Sequence, residues 1–207
     1  MPRQRRDFKR KSGLRDASLH VLACEGAQTE PEYFKGLRAR LYNPKLHVEV
    51  LEREDPSQSS PGAVIQMLDE FRRDYSIRAG DQLWLVIDKD RWTNASLSQV
   101  AQECEQKGYS LVLSNPCFEL WLLLHFEDVA STISERRDVL MNSQNVKREV
   151  GQLVAAGDTS LEYIDHFFPH TNEAIAWARS LEVNSTERWP SNLGTRVYRL
   201  VTALLNL

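Results

Sequence analysis

The stretch LWLVIDKD at residues 83–90 decides the fold. Its first five residues are apolar, and Asp88, Lys89 and Asp90 follow at once. An uninterrupted apolar run is typical of a strand buried on both faces of a parallel sheet. Because residues i and i+2 of a strand point the same way, the two aspartates should project together, about 6–7 Å apart. This predicts a site where one Mg²⁺ binds both carboxylates, directly or through water, at about 2.1 Å. The alternative is that Asp88 caps a loop and Asp90 is solvated.

A second apolar run, residues 19–24, ends in Glu25 and Gly26. In open α/β sheets ligands bind outside the carboxyl ends of the strands, so Glu25 should meet the two aspartates if the strands are neighbours. Three carboxylates in one site repel one another unless a divalent cation neutralises them or one keeps a proton. Gly26 would let the backbone turn sharply and approach a phosphate or a metal ion.

Strand and helix patterns alternate through the first 130 residues. Helix signals accompany this order: a capping-box pattern at Thr29 and Glu32, a Ser60–Pro61 start, and a stop at Gly108. The strands are predicted at 19–24, 47–51, 83–87 and 109–113, and the helices from about Glu30, from Ser60, over 96–107 and after Asn115. Four strands that alternate with helices predict right-handed crossovers, and hence an α/β fold with an open parallel sheet and helices on both faces.

The strand signals stop at about Ser131, and only helical patterns follow. These helices are predicted over 134–154 with a break near Asn142, over 171–181, and from about Leu193 to the end. The chain is therefore expected to divide into a basic flexible arm at 1–17, an α/β core at 18–130, and a helical C-terminal part at 131–207 packed on the core.

Charge is distributed unevenly along the chain. The first fifteen residues carry a net charge of +6, whereas the whole chain carries −3, so the remainder is strongly acidic. Such an arm commonly contacts the phosphate backbone of nucleic acid or an acidic partner; a solubilising tail without a partner is the alternative. We favour DNA or RNA as the partner of its seven cations, which are Arg3, Arg5, Arg6, Lys9, Arg10, Lys11 and Arg15.

Cysteine usage and hydropathy indicate the cellular compartment in which the protein is expected. Cys24, Cys104 and Cys117 are odd in number, lack CxxC spacing and lie in or beside apolar segments, which indicates buried thiols in a reducing compartment. The charged start is followed by only a short apolar stretch, so a signal peptide is not expected. The run 120–124 is too short to span a bilayer. We expect a soluble cytoplasmic protein that does not bind membranes.

Further candidate residues follow the fourth predicted strand. Asn115 is predicted to cap the next helix and to orient a phosphate at its positive end; Glu119, on the first turn, could face the acidic residues. The simpler alternatives are a cap for Asn115 and a salt-bridged carboxylate for Glu119. His125 is a candidate for phosphate or metal contact, although its apolar neighbours also fit a core histidine. Lys147 and its neighbour Arg148 could reach a phosphate, but a solvated helix face is their default interpretation.

These residues together resemble the RloB family, a branch of the Toprim superfamily that includes catalytic domains of topoisomerases, bacterial primases and overcoming-lysogenization-defect nucleases. The resemblance spans residues 19–207 and leaves only the basic arm outside. It is carried by Cys24-Glu25-Gly26 with Thr29-Glu30 and Tyr33-Phe34, Ile87-Asp88-Lys89-Asp90, Ser114-Asn115-Pro116, Phe118-Glu119-Leu120-Trp121, Leu124-His125-Phe126, and Asn192, Thr195 and Val197.

The resemblance implies a Toprim-like sheet, with Glu25 as general acid or base and Asp88 and Asp90 as the metal-chelating pair. Asn115, Glu119 and His125 match a family signature of unstated chemical role. The family commonly has proline where this chain has Leu193. Family members are associated with phage defence and often accompany an ATPase, which implies a partner of that kind.

Our leading hypothesis is a Mg²⁺- or Mn²⁺-dependent nuclease that cleaves phosphodiester bonds. Its candidate residues are Glu25, Asp88, Asp90 and Glu119 for catalysis, the first three of these for metal, and Gly26, Asn115 and His125 for ligand contact. A non-catalytic nucleic-acid-binding or adaptor subunit of a defence complex is the alternative. A phosphatase of the haloacid dehalogenase type ranks last, because Trp92 stands where that family has threonine or valine and the motif is on the third strand.

Overall fold

The computed structural model describes residues 5–8, 17–53, 60–157 and 162–205. Within these residues the strands are β1 (Ser18–Cys24), β2 (Leu46–Val50), β3 (Gln82–Asp88), β4 (Ser110–Asn115) and β5 (Gly194–Thr195). The α-helices are α1 (Thr29–Arg40), α2 (Pro61–Asp74), α3 (Asn94–Lys107), α4 (Glu119–Leu123), α5 (Ile133–Leu140), α6 (Ser143–Ala156), α7 (Thr171–Leu181) and α8 (Val197–Leu205). Short 3₁₀ helices occupy Val129–Thr132, Tyr163–His166 and Phe168–His170.

The strands form one sheet in the order β2-β1-β3-β4-β5. β1 runs parallel to β2 and to β3, with Cys24 in register with Val86. The antiparallel strand β5 pairs with the end of β4. The chain therefore has the predicted α/β fold, with a mostly parallel sheet flanked by helices and with further helices at the C-terminus. The apolar run that predicted β3 is buried over residues 83–87.

Local signals predicted several boundaries well. Ser60 is the N-cap of α2, where its Oγ accepts a hydrogen bond from the amide of Ala63 at 3.2 Å. Gly108 has a φ of +71° just after α3, a conformation that favours glycine at a helix end. The break near Asn142 is also confirmed, because this residue caps α6 through its side chain.

Other boundaries differ from the prediction. The capping box at α1 is wrong, because Gln28 is the N-cap and makes no side-chain cap hydrogen bond. Asn115 is also not a helix cap: it is the last residue of β4, and α4 begins only at Glu119. Strand structure does not stop near Ser131, since β5 follows much later. Two residues are too few to produce the alternation by which a strand is recognised.

The contacts divide the chain into two compact units, Met1–Val86 with Gln102–Leu111, and Ile87–Ala101 with Val112–Leu207. The first unit contains β1, β2, α1 and α2, and its core includes Phe34 and Leu68. The second contains β5 and the helices from α4 onward, with Trp121 and Leu200 in its core. The three-part organisation expected from the sequence stays a prediction.

A short described piece of the basic arm packs on the first unit. The backbone of Arg6 bridges to the residues around Tyr75, which follows α2. The Phe8 ring lies 5.0 Å from that of His47, 5.5 Å from Phe71 and 5.3 Å from Tyr75, measured between ring centroids. Residues 1–4 and 9–16, which hold the remaining cations, lie outside the described residues.

The predicted burial of the cysteines is confirmed. Cys24, Cys104 and Cys117 are all described, all buried, and none forms a disulfide. In the part of the chain that the structure describes, no helix is both long enough and apolar enough to cross a membrane.

Candidate functional site

Glu25 follows β1 in the first unit, and β1 is a parallel neighbour of β3. The Glu25 amide donates a hydrogen bond to the Val86 carbonyl at 2.9 Å, which extends the pairing of the two strands by one residue. Its own carbonyl accepts a hydrogen bond from the guanidinium of Arg53. The residue is 5% exposed. The prediction that Glu25 meets the aspartates required β1 and β3 to be neighbours in the sheet, and this condition is met.

Gly26 leaves room for the carboxylate of another residue, and its backbone angles alone do not call for a glycine. Its amide donates to Oε1 of Glu30 at 3.0 Å, and a Cβ at position 26 would lie 1.7 Å from Oε2 of that side chain. Glu30 is buried in the first turn of α1, where the helix dipole stabilises a negative charge. A side chain at position 26 would therefore displace Glu30.

A cavity of about 250 Å³ opens beside Gly26 in the first unit. Its charged lining residues are Lys35, Glu52 and Arg53, and Lys35 forms an ion pair with Glu52. The cavity thus places two cationic side chains near the residue after β1. Neither cation stands out in the sequence, because one belongs to α1 and the other to the segment after β2.

The turn that carries the two aspartates lies in the second unit and is held by the end of β4. The Lys89 amide lies 2.9 Å from the Ser114 carbonyl oxygen and 3.2 Å from that of Pro116, and both accept its hydrogen. The Asp90 amide donates to Pro116 O at 3.1 Å. These hydrogen bonds fix the backbone on which both carboxylates are mounted.

Asp88, Asp90 and Glu119, which we call the acidic cluster, all act electrostatically on the ammonium group of Lys147. Lys147 Nζ lies 3.9 Å from Glu119 Oε2. Partial burial opposes the positive charge of Lys147, but Glu119, followed by Cys117, Asp88 and Asp90, outweighs it and raises the pKa of Lys147 above its usual value. One turn earlier on the same helix, Ser143 Oγ donates to Asp90 Oδ2 at 2.6 Å. The two aspartates and Glu119 therefore all favour the charged form of Lys147.

Cys117 belongs to the same surroundings. Burial raises the pKa of its thiol well above the usual range, and the negative charges of Glu119 and Asp88 add to the effect. Because the thiolate is the nucleophilic form of cysteine, this thiol is unreactive.

The contacts of Ser143 and Lys147 with the acidic cluster were not predicted. Lys147 was named only as able to reach a phosphate, with a solvated helix face as the default interpretation, and Ser143 was not a candidate. Their i, i+4 spacing shows only that they share a face of α6. Which partner that face meets is decided by the packing of α6 against α4, a contact that no local pattern reports.

Asn115 ties β4 to a distant loop. Its Nδ2 lies 3.2 Å from Pro190 O, 3.1 Å from Ser191 O and 2.7 Å from Asn192 O, and it donates to these carbonyls. Lys89 Nζ donates to the same Ser191 carbonyl at 3.3 Å. The side chain predicted to orient a phosphate thus holds the backbone of residues 190–192.

His125 lies in the core of the second unit. It is 2% exposed, and its Nδ1 donates to the Trp121 carbonyl at 2.9 Å. The rings of Trp121 and Phe167 pack edge-on against it at 4.8 and 5.5 Å. Burial lowers the pKa of His125 to about 3, so the ring is neutral at physiological pH. These contacts are those of a core histidine.

The predicted site residues fall in both units. Glu25 and Gly26 lie in the first unit, and Asp88, Asp90, Asn115, Glu119 and His125 lie in the second. Across residues 5–8, 17–53, 60–157 and 162–205, no group of three or more His, Cys, Asp or Glu side chains is placed to hold a metal ion. The convergence of Glu25 with the aspartates on a metal stays a prediction.

Comparison with known proteins gives one result. A sequence model of the RloB-like protein family matches residues 20–204, which include every candidate site residue outside the arm. No curated protein and no solved structure matches the chain significantly. Because the match covers most of the chain, this protein belongs to the RloB-like family.

Proposed function

We propose that this protein is a metal-dependent nuclease that cleaves phosphodiester bonds in nucleic acid. The observation that carries the proposal is that one face of α6 contacts two carboxylates of the acidic cluster, because Ser143 Oγ donates to Asp90 Oδ2 at 2.6 Å and Lys147 Nζ lies 3.9 Å from Glu119 Oε2. The position of Glu25 directly after the neighbouring parallel strand supports it.

The donor chemistry of the cluster suits Mg²⁺ or Mn²⁺, because carboxylate oxygens are the hard ligands that these ions prefer. Asp88 and Asp90 would hold the ion. When bound, it would polarise the phosphate and stabilise the negative charge that develops on it. Glu25, which is buried, would donate or accept the proton or help to hold a second ion. Glu119 would strengthen the negative field at the pair.

Cationic groups outside the cluster would bind the nucleic acid. Lys35 and Arg53 line the cavity beside Gly26, and the seven cations of the arm would supply a further electrostatic contact. We further propose a role in phage defence with an ATPase partner, which rests on the resemblance to the family described above. Asn115 would act on this site only by holding residues 190–192.

The test is cleavage of single- and double-stranded DNA and RNA by the purified protein, with Mg²⁺, with Mn²⁺ and with EDTA. We expect Asp88→Asn to abolish the metal-dependent cleavage and to leave the urea midpoint unchanged or slightly higher, because one repulsive carboxylate is removed. Asp138→Asn, at an exposed position on α5, is the matched control and should cleave like the wild type. A wild-type protein that cleaves none of these substrates would overturn the proposal, and a variant that unfolds would indicate a structural role for Asp88.

A non-catalytic nucleic-acid-binding or adaptor subunit is the second candidate. It is favoured by the lack, within the described residues, of three or more side chains already grouped around a metal position. It predicts nucleic-acid binding that persists in EDTA, depends on the arm and is unaffected by Asp88→Asn. The same set of proteins therefore distinguishes the two functions.

A further inference from the structure

Helix α6 presents two polar side chains to the acidic cluster. Ser143, its first residue, donates to Asp90 Oδ2 at 2.6 Å, and Lys147 follows one turn later with its Nζ 3.9 Å from Glu119 Oε2. The Lys147 side chain is 38% exposed, whereas that of Glu119 is 14% exposed. The lysine therefore reaches inward from an accessible position rather than extending into water.

Three other cations of the second unit, Lys89, Arg136 and Arg148, are engaged elsewhere. Lys89 Nζ donates to the Ser191 carbonyl, Arg136 forms ion pairs with Glu127 and Glu149, and Arg148 donates to Asn145 Oδ1 at 2.8 Å. Lys147 instead has its Nζ 3.9 Å from Glu119 Oε2, on the same face of α6 from which Ser143 contacts Asp90.

The contact between Lys147 and Glu119 is loose. At 3.9 Å the two charges attract each other without a hydrogen bond, which requires about 3 Å for a nitrogen–oxygen pair. Three carboxylates against one ammonium group also leave the cluster negative. A second cation would therefore be attracted to the cluster, but it would have to share the carboxylates with Lys147.

We propose that Lys147 is the resident counter-ion of the acidic cluster, and that a divalent cation competes with its ammonium group for the same carboxylates. The inference rests on the proposed function in that it takes Asp88 and Asp90 as the metal ligands. It assigns to Lys147 a positioning role: it holds the carboxylates together in the absence of metal and weakens the binding of the ion.

The decisive variant is Lys147→Met, which keeps the length of the side chain and removes its charge. We expect the variant to bind Mn²⁺ about tenfold more tightly than the wild type, since a charge within 4–6 Å changes such an equilibrium by about a factor of ten or more. In EDTA the melting temperature of the variant should lie below that of the wild type, because the carboxylates lose their counter-ion. Added Mn²⁺ should raise the melting temperature of the variant by more than it raises that of the wild type. Calorimetric titration with Mn²⁺ and thermal melts provide both measurements without any assay of cleavage.

Two variants serve as controls. Arg148→Met removes the same charge from the next position of α6, where the guanidinium contacts Asn145, and should leave Mn²⁺ affinity unchanged. Lys147→Arg keeps the charge and should bind Mn²⁺ like the wild type. If Lys147→Met does not fold, Lys147→Gln, which is also uncharged, takes its place in the titration.

The outcomes separate this inference from the proposed function. Equal or weaker Mn²⁺ binding by Lys147→Met, or a similar gain in Arg148→Met, would overturn the counter-ion role even if the wild type cleaves nucleic acid. Absence of Mn²⁺ binding in every variant would also overturn the competition. Tighter binding by Lys147→Met would support it even in a protein that cleaves nothing, in which case only the proposed nuclease activity would fail.

Discussion

His125 shows how the surroundings of one side chain determine its protonation. The ring packs between Trp121 and Phe167 and donates to a carbonyl within its own segment. Burial dominates and lowers the pKa of His125 to about 3, and the charge of His170 acts in the same direction, whereas the backbone hydrogen bonds only partly oppose it. The folded protein therefore excludes a proton that the unfolded chain binds below about pH 6.5.

This difference makes stability depend on pH. Above about pH 6.5 both states carry a neutral ring, and as the pH falls toward about 3 only the unfolded chain gains the proton, so the free energy of unfolding decreases. The expected loss is up to about 1.4 kcal/mol per pH unit. His125→Gln cannot bind that proton, so its urea midpoints at pH 7 and pH 5 should differ less than those of the wild type. Leu68→Ala, in the core of the first unit, should lower stability at both pH values and keep the wild-type difference. An unchanged difference in His125→Gln would contradict the assignment.

Single positions could be predicted where the cause is local. The end of an apolar run located Asp88 at the end of β3. The i, i+2 argument for Asp90 assumed that the strand continues, but β3 ends at Asp88 and Asp90 lies in the following turn. Lys147 could not be predicted in the same way. Its partners lie about thirty residues or more away in sequence, and only the packing of α6 on α4 brings them together.

At the scale of elements, the segment between α7 and β5 is held at both ends. Toward α7, the buried guanidinium of Arg196 bonds Glu182 at 2.8 Å and the Arg188 carbonyl at 2.6 Å. Toward β5, the Asn115 amide donates to the carbonyls of residues 190–192. Ser114 and Thr195 add a buried hydroxyl contact of 2.7 Å. The segment has little regular structure of its own, so these contacts set its position.

Asn115→Ala should loosen this segment. We expect a loss of about 1–3 kcal/mol in the free energy of unfolding, because three carbonyls lose a shared donor. Asn115→Asp should be worse at pH 7, since the new carboxylate would face those carbonyls, and it should recover partly at low pH, where protonation supplies a donor. Urea unfolding at pH 7 and pH 4 measures both effects. Asn94→Ala, at an exposed residue of α3, should stay within about 0.5 kcal/mol of the wild type; an equal loss there would show that the effect is not specific to the segment.

The helices and strands were predicted well where their hydrophobic pattern extends over many residues. α7 runs over Thr171–Leu181 as expected, and β3 differs from its predicted span by a single residue at each end. β5 and the role of Asn115 were not predicted, for a common reason. Both depend on pairing between β4 and a segment roughly eighty residues later, and a two-residue strand carries no pattern that would indicate it.

For the whole molecule, the dominant electrostatic feature is a basic arm on an acidic chain. The charge of +6 in the first fifteen residues stands against −3 overall. The described piece of this arm is not only a charged tail, because Phe8 packs on Phe71 and Tyr75. Deleting the whole arm would therefore remove packing as well as charge, and a test of nucleic-acid binding has to separate the two.

Replacing the seven arm cations with glutamine while keeping Phe8 achieves this separation. If the arm contacts phosphates, the variant should bind nucleic acid more weakly, and the log–log salt dependence of its affinity should flatten by about 0.9 per lost contact on duplex DNA. Cleavage at saturating substrate, where it occurs, should persist, since no proposed catalytic residue lies in the arm. Phe8→Ala keeps every cation and should therefore show the wild-type slope, even if it is less stable. The measurement is the affinity for nucleic acid over a salt series. Identical slopes for the wild type and the glutamine variant would mean that the arm does not touch nucleic acid. We would then assign the arm to an acidic protein partner.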